Sequence, residues 1–136
     1  MTIKIVLVDD NPTFLAAVWQ FIDMLPDVEV VGQAHDGREA LAQAERLHPD
    51  LVLLDIAMPH VNGLEVARAM QAWPRPPRIV FLSMHDNVAY RDVARDLGAA
   101  GFVAKADFVD GLLPIIERMV ADETASYDML FHGKTP

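Results

Sequence analysis

The chain has 136 residues, of which 52% are hydrophobic and 23% are charged, a composition typical of one compact globular domain. The formal net charge of -9, with 11 basic residues spread along the sequence, argues against the clustered positive surface that nucleic-acid binding requires. The lack of cysteine excludes disulfides, zinc–thiolate sites and thiol nucleophiles, and it fits a reducing cytoplasm.

Five short apolar runs predict β-strands. They are rich in Val, Ile and Leu, and they cover residues 3–8, 28–34, 51–54, 79–82 and 101–104. Runs that are apolar throughout are typical of strands covered on both faces, as in a parallel sheet between helices. The first run ends at Asp9-Asp10, too early for a signal peptide, and no run reaches the length of a membrane span. We therefore expect no membrane partner.

Helical patterns alternate with these runs. The first helix begins at Pro12, where proline is best tolerated, and ends before Pro26. The second covers about residues 37–47, with Asp36 placed to cap its first turn and Pro49 to stop it. The remaining three patterns cover about residues 64–72, residues 87–97 before Gly98, and residues 107–121.

Strict alternation of strands and helices predicts an α/β fold with a doubly wound parallel sheet of five strands. We predict one domain over residues 1–121. A tail or linker stub follows over residues 122–136, where the sequence becomes polar and mixed. In such a sheet the reactive site lies beyond the carboxyl ends of the strands.

Polar residues follow four of the predicted strands. They are Asp9 and Asp10, Asp55, Ser83 and Lys105. Three carboxylates, a hydroxyl and an ammonium, without histidine or cysteine, select a hard cation such as Mg²⁺. Each residue alone could be a helix cap, a strand-end serine or a surface lysine, but that reading does not explain their occurrence at four strand ends. Mg²⁺ shares phosphate oxygens readily, so Asp55 is predicted to form an acyl-phosphate.

These residues stand in motifs that resemble the receiver domain of bacterial two-component response regulators. The resemblance covers residues 3–120, and its motifs are Val8-Asp9-Asp10, Asp55-Ile56-Ala57-Met58-Pro59 followed by Gly63, Leu82-Ser83 and Gly101-Phe102-Val103-Ala104-Lys105. Residues 82–86 are similar to members with a LuxR-type helix-turn-helix output domain. The resemblance implies a flavodoxin-like fold with strand order 2-1-3-4-5 and a cytoplasmic role in transcription regulation.

The resemblance also implies roles for single residues. Asp55 would accept a phosphoryl group from a sensor histidine kinase or a small acyl-phosphate donor, and Ser83 and Lys105 would engage the phosphoryl oxygens. The implied ligands of Mg²⁺, for which Mn²⁺ could substitute, are Asp10 directly, Asp9 through water, Asp55 and the backbone carbonyl of Ala57.

Phosphorylation would draw Ser83 toward the new oxygens and Phe102 inward, which couples the chemistry to the surface. Phe102 replaces the tyrosine often found in the family, and packing alone explains a strand phenylalanine equally well. Ala106 replaces a common proline, which leaves the geometry of its loop open. His85 either influences the water that hydrolyses the acyl-phosphate or is an ordinary loop histidine.

The fifth helix carries more apolar positions than one core-facing stripe requires. The family commonly forms dimers through the face of the fourth helix, fifth strand and fifth helix, so a homodimer is one expectation and a locally wide core stripe the other. An output domain or partner protein is expected outside this chain, whether the receiver stands alone or is excised from a longer regulator.

Two other functions share part of this pattern. A Mg²⁺-dependent phosphohydrolase of the haloacid dehalogenase type also uses an aspartyl nucleophile, but it usually needs a second acid two residues later, where Ala57 stands. A phosphorylation-independent interaction module would not need the intact set of aspartates, serine and lysine. The sequence therefore favours a signalling switch whose only chemistry is its own phosphorylation and dephosphorylation.

Overall fold

The computed structural model describes residues 2–58, 60–84 and 88–132, with side chains to residue 123. The strands are β1 (Ile3–Val8), β2 (Val28–Ala34), β3 (Leu51–Asp55), β4 (Arg78–Ser83) and β5 (Gly101–Ala104). The helices are α1 (Pro12–Asp23), α2 (Gly37–Leu47), α3 (Gly63–Gln71), α4 (Val88–Asp96) and α5 (Phe108–His132), with a short 3-10 turn (Lys105–Asp107) before α5.

The five strands form one parallel sheet in the order β2-β1-β3-β4-β5. This order confirms the predicted doubly wound, flavodoxin-like fold. Every residue of β3 is buried, because this strand lies at the centre of the sheet and helices cover both of its faces. The apolar run at residues 51–54 therefore forms the central, fully buried strand of the sheet.

Two apolar layers hold the helices on the sheet. One layer packs α1 and α5 against the face that carries Ile5, Leu7 and Leu53. The other packs α2, α3 and α4 against the opposite face, which carries Val6 and Val52. Successive strand residues alternate between the two layers, as the pleat requires.

The helix starts follow the predicted capping signals. Asp36 accepts a hydrogen bond from the backbone N–H of Glu39 and caps α2. Helix α2 ends at Leu47, and its C-cap residue His48 adopts a left-handed conformation with φ of 50°. The predicted start of α4 at Asn87 lies outside the described residues.

The fifth helix is longer than the sequence predicted. Helix α5 continues to His132, so the predicted end near Ala121 is wrong. Polar composition suggested a tail there, but residues 122–131 include no glycine or proline, and polar residues without those two are compatible with helix. The domain boundary at residue 121 stays a prediction. No helix among the residues that the structure describes is long and apolar enough to cross a membrane.

Candidate functional site

The sheet brings the predicted polar residues to one edge. Asp9 directly follows β1, Asp55 ends β3, Ser83 ends β4 and Lys105 directly follows β5. The strand register pairs Asp55 with Leu82 and Ser83 with Ala104, so these positions follow one another across the edge. Side chains that are far apart in the sequence therefore meet at the carboxyl ends of the strands.

Lys105 lies between two aspartates. Its Nζ is 2.6 Å from Asp9 Oδ2 and 3.3 Å from Asp55 Oδ2, and its side chain is 9% exposed. The contact with Asp9 Oδ2 is an ion pair by distance, although its geometry is not that of a hydrogen bond. Such a shared, nearly buried ammonium stabilises two carboxylates that would otherwise repel each other.

The Asp55 carboxyl is the group whose acidity the site alters most clearly. The pKa of Asp55 is raised from 3.8 to about 6, mainly by burial and secondly by the neighbouring Asp9 carboxylate. The Lys105 ammonium and the hydrogen bond from the Ala57 N–H to Asp55 Oδ1, 3.2 Å long, oppose this rise. With a pKa near 6, Asp55 is mostly ionised at pH 7.

Asp9 links the site to the start of α1. Its Oδ1 accepts a hydrogen bond of 2.8 Å from the backbone N–H of Asn11. Asn11 in turn caps α1, because its side-chain oxygen accepts hydrogen bonds from the N–H groups of Thr13 and Phe14. The fully buried Asp9 carboxylate is thereby fixed relative to the first turn of the helix.

The residues present fit a divalent cation. Asp9, Asp10 and Asp55 each offer a carboxylate oxygen, and these oxygens lie within 4.8 Å of one another. Asp9 Oδ2 is buried, and its described polar neighbour is the Lys105 ammonium at 2.6 Å, which leaves lone-pair capacity on this oxygen for a ligand. Carboxylate oxygens alone, with Asp10 exposed to solvent, suit the oxygen-rich and partly hydrated coordination of Mg²⁺.

The other predicted residues have the following positions. Ser83 is buried at 6% exposure beside the end of β3. Phe102 is half-buried, and the guanidinium carbon of Arg91 lies 4.7 Å from its ring centroid. The peptide bond between Lys105 and Ala106 is trans, as are the other described peptide bonds. Pro59 and His85 lie outside the described residues, and the roles assigned to all of these positions stay predictions.

Three further residues shape the site but were given no such role from the sequence. Asn11 follows the Asp9-Asp10 pair and precedes Pro12, a pattern that signals a capped helix start. Gly63 lies so close to β3 that a Cβ atom there would be 2.2 Å from the backbone oxygen of Asp55. Phe14 places its ring centroid 4.8 Å from Lys105 Nζ, a contact for which helical periodicity gives no signal.

Known proteins share this sequence pattern. The pattern of the response regulator receiver domain family matches residues 5–116. The transcriptional regulatory protein DegU of Brevibacillus brevis is 35% identical over 116 residues, which cover 85% of this chain and 49% of DegU. The nitrate/nitrite response regulator protein NarL of Escherichia coli is 37% identical over 119 residues, which cover 88% of this chain and 55% of NarL. The chain spans about half the length of these curated relatives.

A solved structure extends the similarity to the fold. A two-component response regulator of the LuxR family from Aurantimonas superposes with a TM-score of 0.82 at 32% identity, covering 90% of this chain and 87% of that one. The predicted resemblance, including its LuxR-type relatives, is confirmed. The family pattern matches residues 5–116, and the sheet order and the cluster of aspartates at the sheet edge agree with that match. The chain therefore belongs to the response regulator receiver domain family.

Proposed function

We propose that this receiver accepts a phosphoryl group on Asp55 from the phosphohistidine of a sensor histidine kinase and thereby switches a signalling output. The observation that carries the proposal is the position of the Asp55 carboxylate. It lies at the end of the central strand, is 2% exposed, and has the Lys105 ammonium 3.3 Å from one oxygen. Such a carboxylate is shielded from bulk water yet retains a nearby positive charge for an incoming phosphoryl group.

The transfer balances as a simple displacement. A carboxylate oxygen of Asp55 forms a bond to phosphorus while the P–N bond to the kinase imidazole breaks, and the leaving imidazole keeps the electron pair and takes up a proton. With acetyl phosphate as donor, the P–O bond breaks and acetate leaves. Lys105 is placed to attract the equatorial oxygens of the transferred group, and Ser83 carries a hydroxyl that can donate a hydrogen bond to one of them.

Asp9, Asp10 and Asp55 would hold the Mg²⁺ together with the backbone carbonyl of Ala57. The cation supplies charge neutralisation for the phosphoryl oxygens. The close approach of the three carboxylates supports this assignment, since their mutual repulsion makes binding of a cation favourable. Mn²⁺ offers the same preference for oxygen ligands.

The output would be a change in the face formed by α4, β5 and α5, through Ser83 and Phe102. Register supports this path, because Ser83 pairs with Ala104 of the strand that carries Phe102. This face would then contact an output domain, a partner protein or a second copy of the chain. The proposed chemistry is confined to phosphorylation and dephosphorylation of Asp55 itself.

Intact mass spectrometry after incubation with Mg²⁺ and acetyl phosphate or phosphoramidate tests the proposal. We expect the mass to increase by one phosphoryl group, and we expect EDTA or the Asp55→Ala substitution to abolish the increase.

Asp50→Asn is the matched control. Asp50 stands immediately before β3, at the opposite end of the same strand, and its side chain accepts a hydrogen bond from the backbone N–H of Lys4. The Asp50→Asn variant should gain the phosphoryl group like the wild type. An unmodified wild type, with the small donors and with a kinase, would refute the proposed function.

A further inference from the structure

The Lys105 ammonium has a third neighbour besides its two carboxylates. The ring centroid of Phe14 lies 4.8 Å from Nζ, within the range of a cation–π interaction. The lysine side chain is 9% exposed, so little water competes for the ammonium. Cation–π attraction is strongest where the cation is desolvated in this way.

The Phe14 ring is itself held in place from two sides. Its backbone N–H donates to Asn11 Oδ1 at 3.2 Å, which fixes it in the first turn of α1. Its ring packs edge-to-face against Phe108, with centroids 5.4 Å apart. Phe108 lies three residues after Lys105 and also packs edge-to-face against Phe21 at 5.9 Å. The ring therefore connects the start of α1 to the segment that carries the lysine.

The distances from Lys105 Nζ to the two carboxylates indicate why a third attractive contact affects the position of the ammonium. Lys105 Nζ is closer to Asp9 than to Asp55, at 2.6 Å against 3.3 Å, and Asp9 is not the proposed acceptor. A third carboxylate would hold the ammonium too, but it would also neutralise the charge that phosphoryl oxygens need. An aromatic face attracts the ammonium without adding a negative charge.

We propose that Phe14 is a positioning residue for phosphoryl transfer, holding the Lys105 ammonium beside Asp55 through its aromatic face. The inference rests on the proposed function, because it assigns the ring a part in phosphorylation of Asp55. Phe14 acts through Lys105 and does not touch the phosphoryl donor.

The test compares rate constants of phosphorylation by acetyl phosphate in the full chain with Mg²⁺. Phe14→Leu keeps an apolar side chain but removes the aromatic face, and we expect the rate to fall about tenfold, as expected for loss of a cation–π interaction. Phe14→Trp keeps the face, and we expect its rate to remain within about threefold of the wild type.

A second series removes the effect of side-chain shape. Replacing Phe14 with phenylalanines that carry an increasing number of ring fluorines weakens the negative face of the ring at almost constant volume. We expect the rate to fall stepwise along this series. Phe21→Leu is the matched control, since Phe21 packs on the other side of Phe108 and the described contacts of Lys105 do not include it. Its rate should stay at the wild-type value.

Proton NMR separates this inference from the proposed function. A ring above the ammonium should shift the ε-methylene protons of Lys105 upfield, and Phe14→Leu should remove the shift whether or not the protein is phosphorylated. An active wild type with equal rates for Phe14→Leu and the fluorinated series would overturn the positioning role alone. A wild type that never gains the phosphoryl group would instead refute the function on which the role rests.

Discussion

Asp55 combines two properties that oppose each other. Burial favours its neutral form, with a pKa of about 6, whereas a nucleophile must be ionised. The Lys105 ammonium partly offsets burial and keeps the carboxylate available at neutral pH. The ionised acceptor therefore costs the folded protein free energy, and that cost should be measurable as stability.

The Asp55→Asn variant should be more stable than the wild type at pH 7 when metal is removed with EDTA. The pKa of Asp55 in the folded protein lies above its ordinary value of 3.8, so the folded state binds more protons between these pH values and wild-type stability falls as pH rises through about 6. Asparagine does not titrate there. We expect a gain on the order of 2 kcal/mol at pH 7 that shrinks toward pH 4, measured by urea unfolding.

Mg²⁺ provides the complementary measurement for the same variant. Binding to the native wild type should raise its unfolding free energy and reduce the advantage of Asp55→Asn. Asp50→Asn, at the exposed opposite end of β3, is the control for replacing an aspartate on the same strand. An advantage of Asp55→Asn that stays constant from pH 4 to pH 7 would contradict the role of burial.

The start of α3 lies against the strand that carries the acceptor. A Cβ atom on Gly63 would lie 2.2 Å from the Asp55 backbone oxygen and 2.9 Å from the Ile56 Cα. Both are backbone atoms, so side-chain rotation cannot relieve the overlap. Gly63→Ala should therefore displace either α3 or the end of β3, with a loss of about 2 kcal/mol in urea unfolding and slower phosphorylation.

Gly98→Ala is the contrasting variant. Gly98 has a φ of 75°, and its chain neighbours aside, no atom of the described residues lies within 4 Å of a Cβ placed there, so alanine would introduce backbone strain without a clash. We expect a loss of about 1 kcal/mol with an unchanged phosphorylation rate. If Gly63→Ala also left the rate unchanged, the contact between α3 and β3 would not be important for the site.

The elements that the sequence predicted well are those with strong local signals. The continuous apolar run predicts the bounds of β3 to within one residue, and the capping Asp36 predicts the first residue of α2. The predicted end of α5 was wrong because polar composition alone does not end a helix. Within the site, Lys105 and the aspartates follow from the strand ends, whereas Phe14 depends on how α1 packs against the segment after β5. Such tertiary contacts leave no periodic trace in the sequence.

The whole molecule should fold without its last residues. Met119 is the last buried core side chain of α5 among those described, and the half-exposed Asp122 forms an ion pair of 3.8 Å with Arg78. Exposed ion pairs contribute about 0–1 kcal/mol. A chain truncated after Ala121 should therefore lose no more than about 1 kcal/mol in urea unfolding and still gain the phosphoryl group.

A chain that is truncated further serves as the comparison. A chain that ends at Gly111 lacks Leu112, Ile116 and Met119, all of which are buried in the layer shared with α1, and it should not fold cooperatively. A loss of several kcal/mol on truncation after Ala121 would show that residues 122–136 are part of the folded unit.

The location of Lys105 after an edge strand has a kinetic consequence. Among the described residues, strand β5 has four residues and pairs with β4 on one side, whereas the acceptor strand is bordered by neighbours on both sides. Edge segments open more often than central ones. Transient detachment of β5 would move the Lys105 ammonium away from Asp55, which would keep its own position. The fraction of time that β5 is detached would therefore limit how often an encounter with a phosphoryl donor leads to transfer. Amide hydrogen exchange along β5 would thus report how often Lys105 is withdrawn from Asp55.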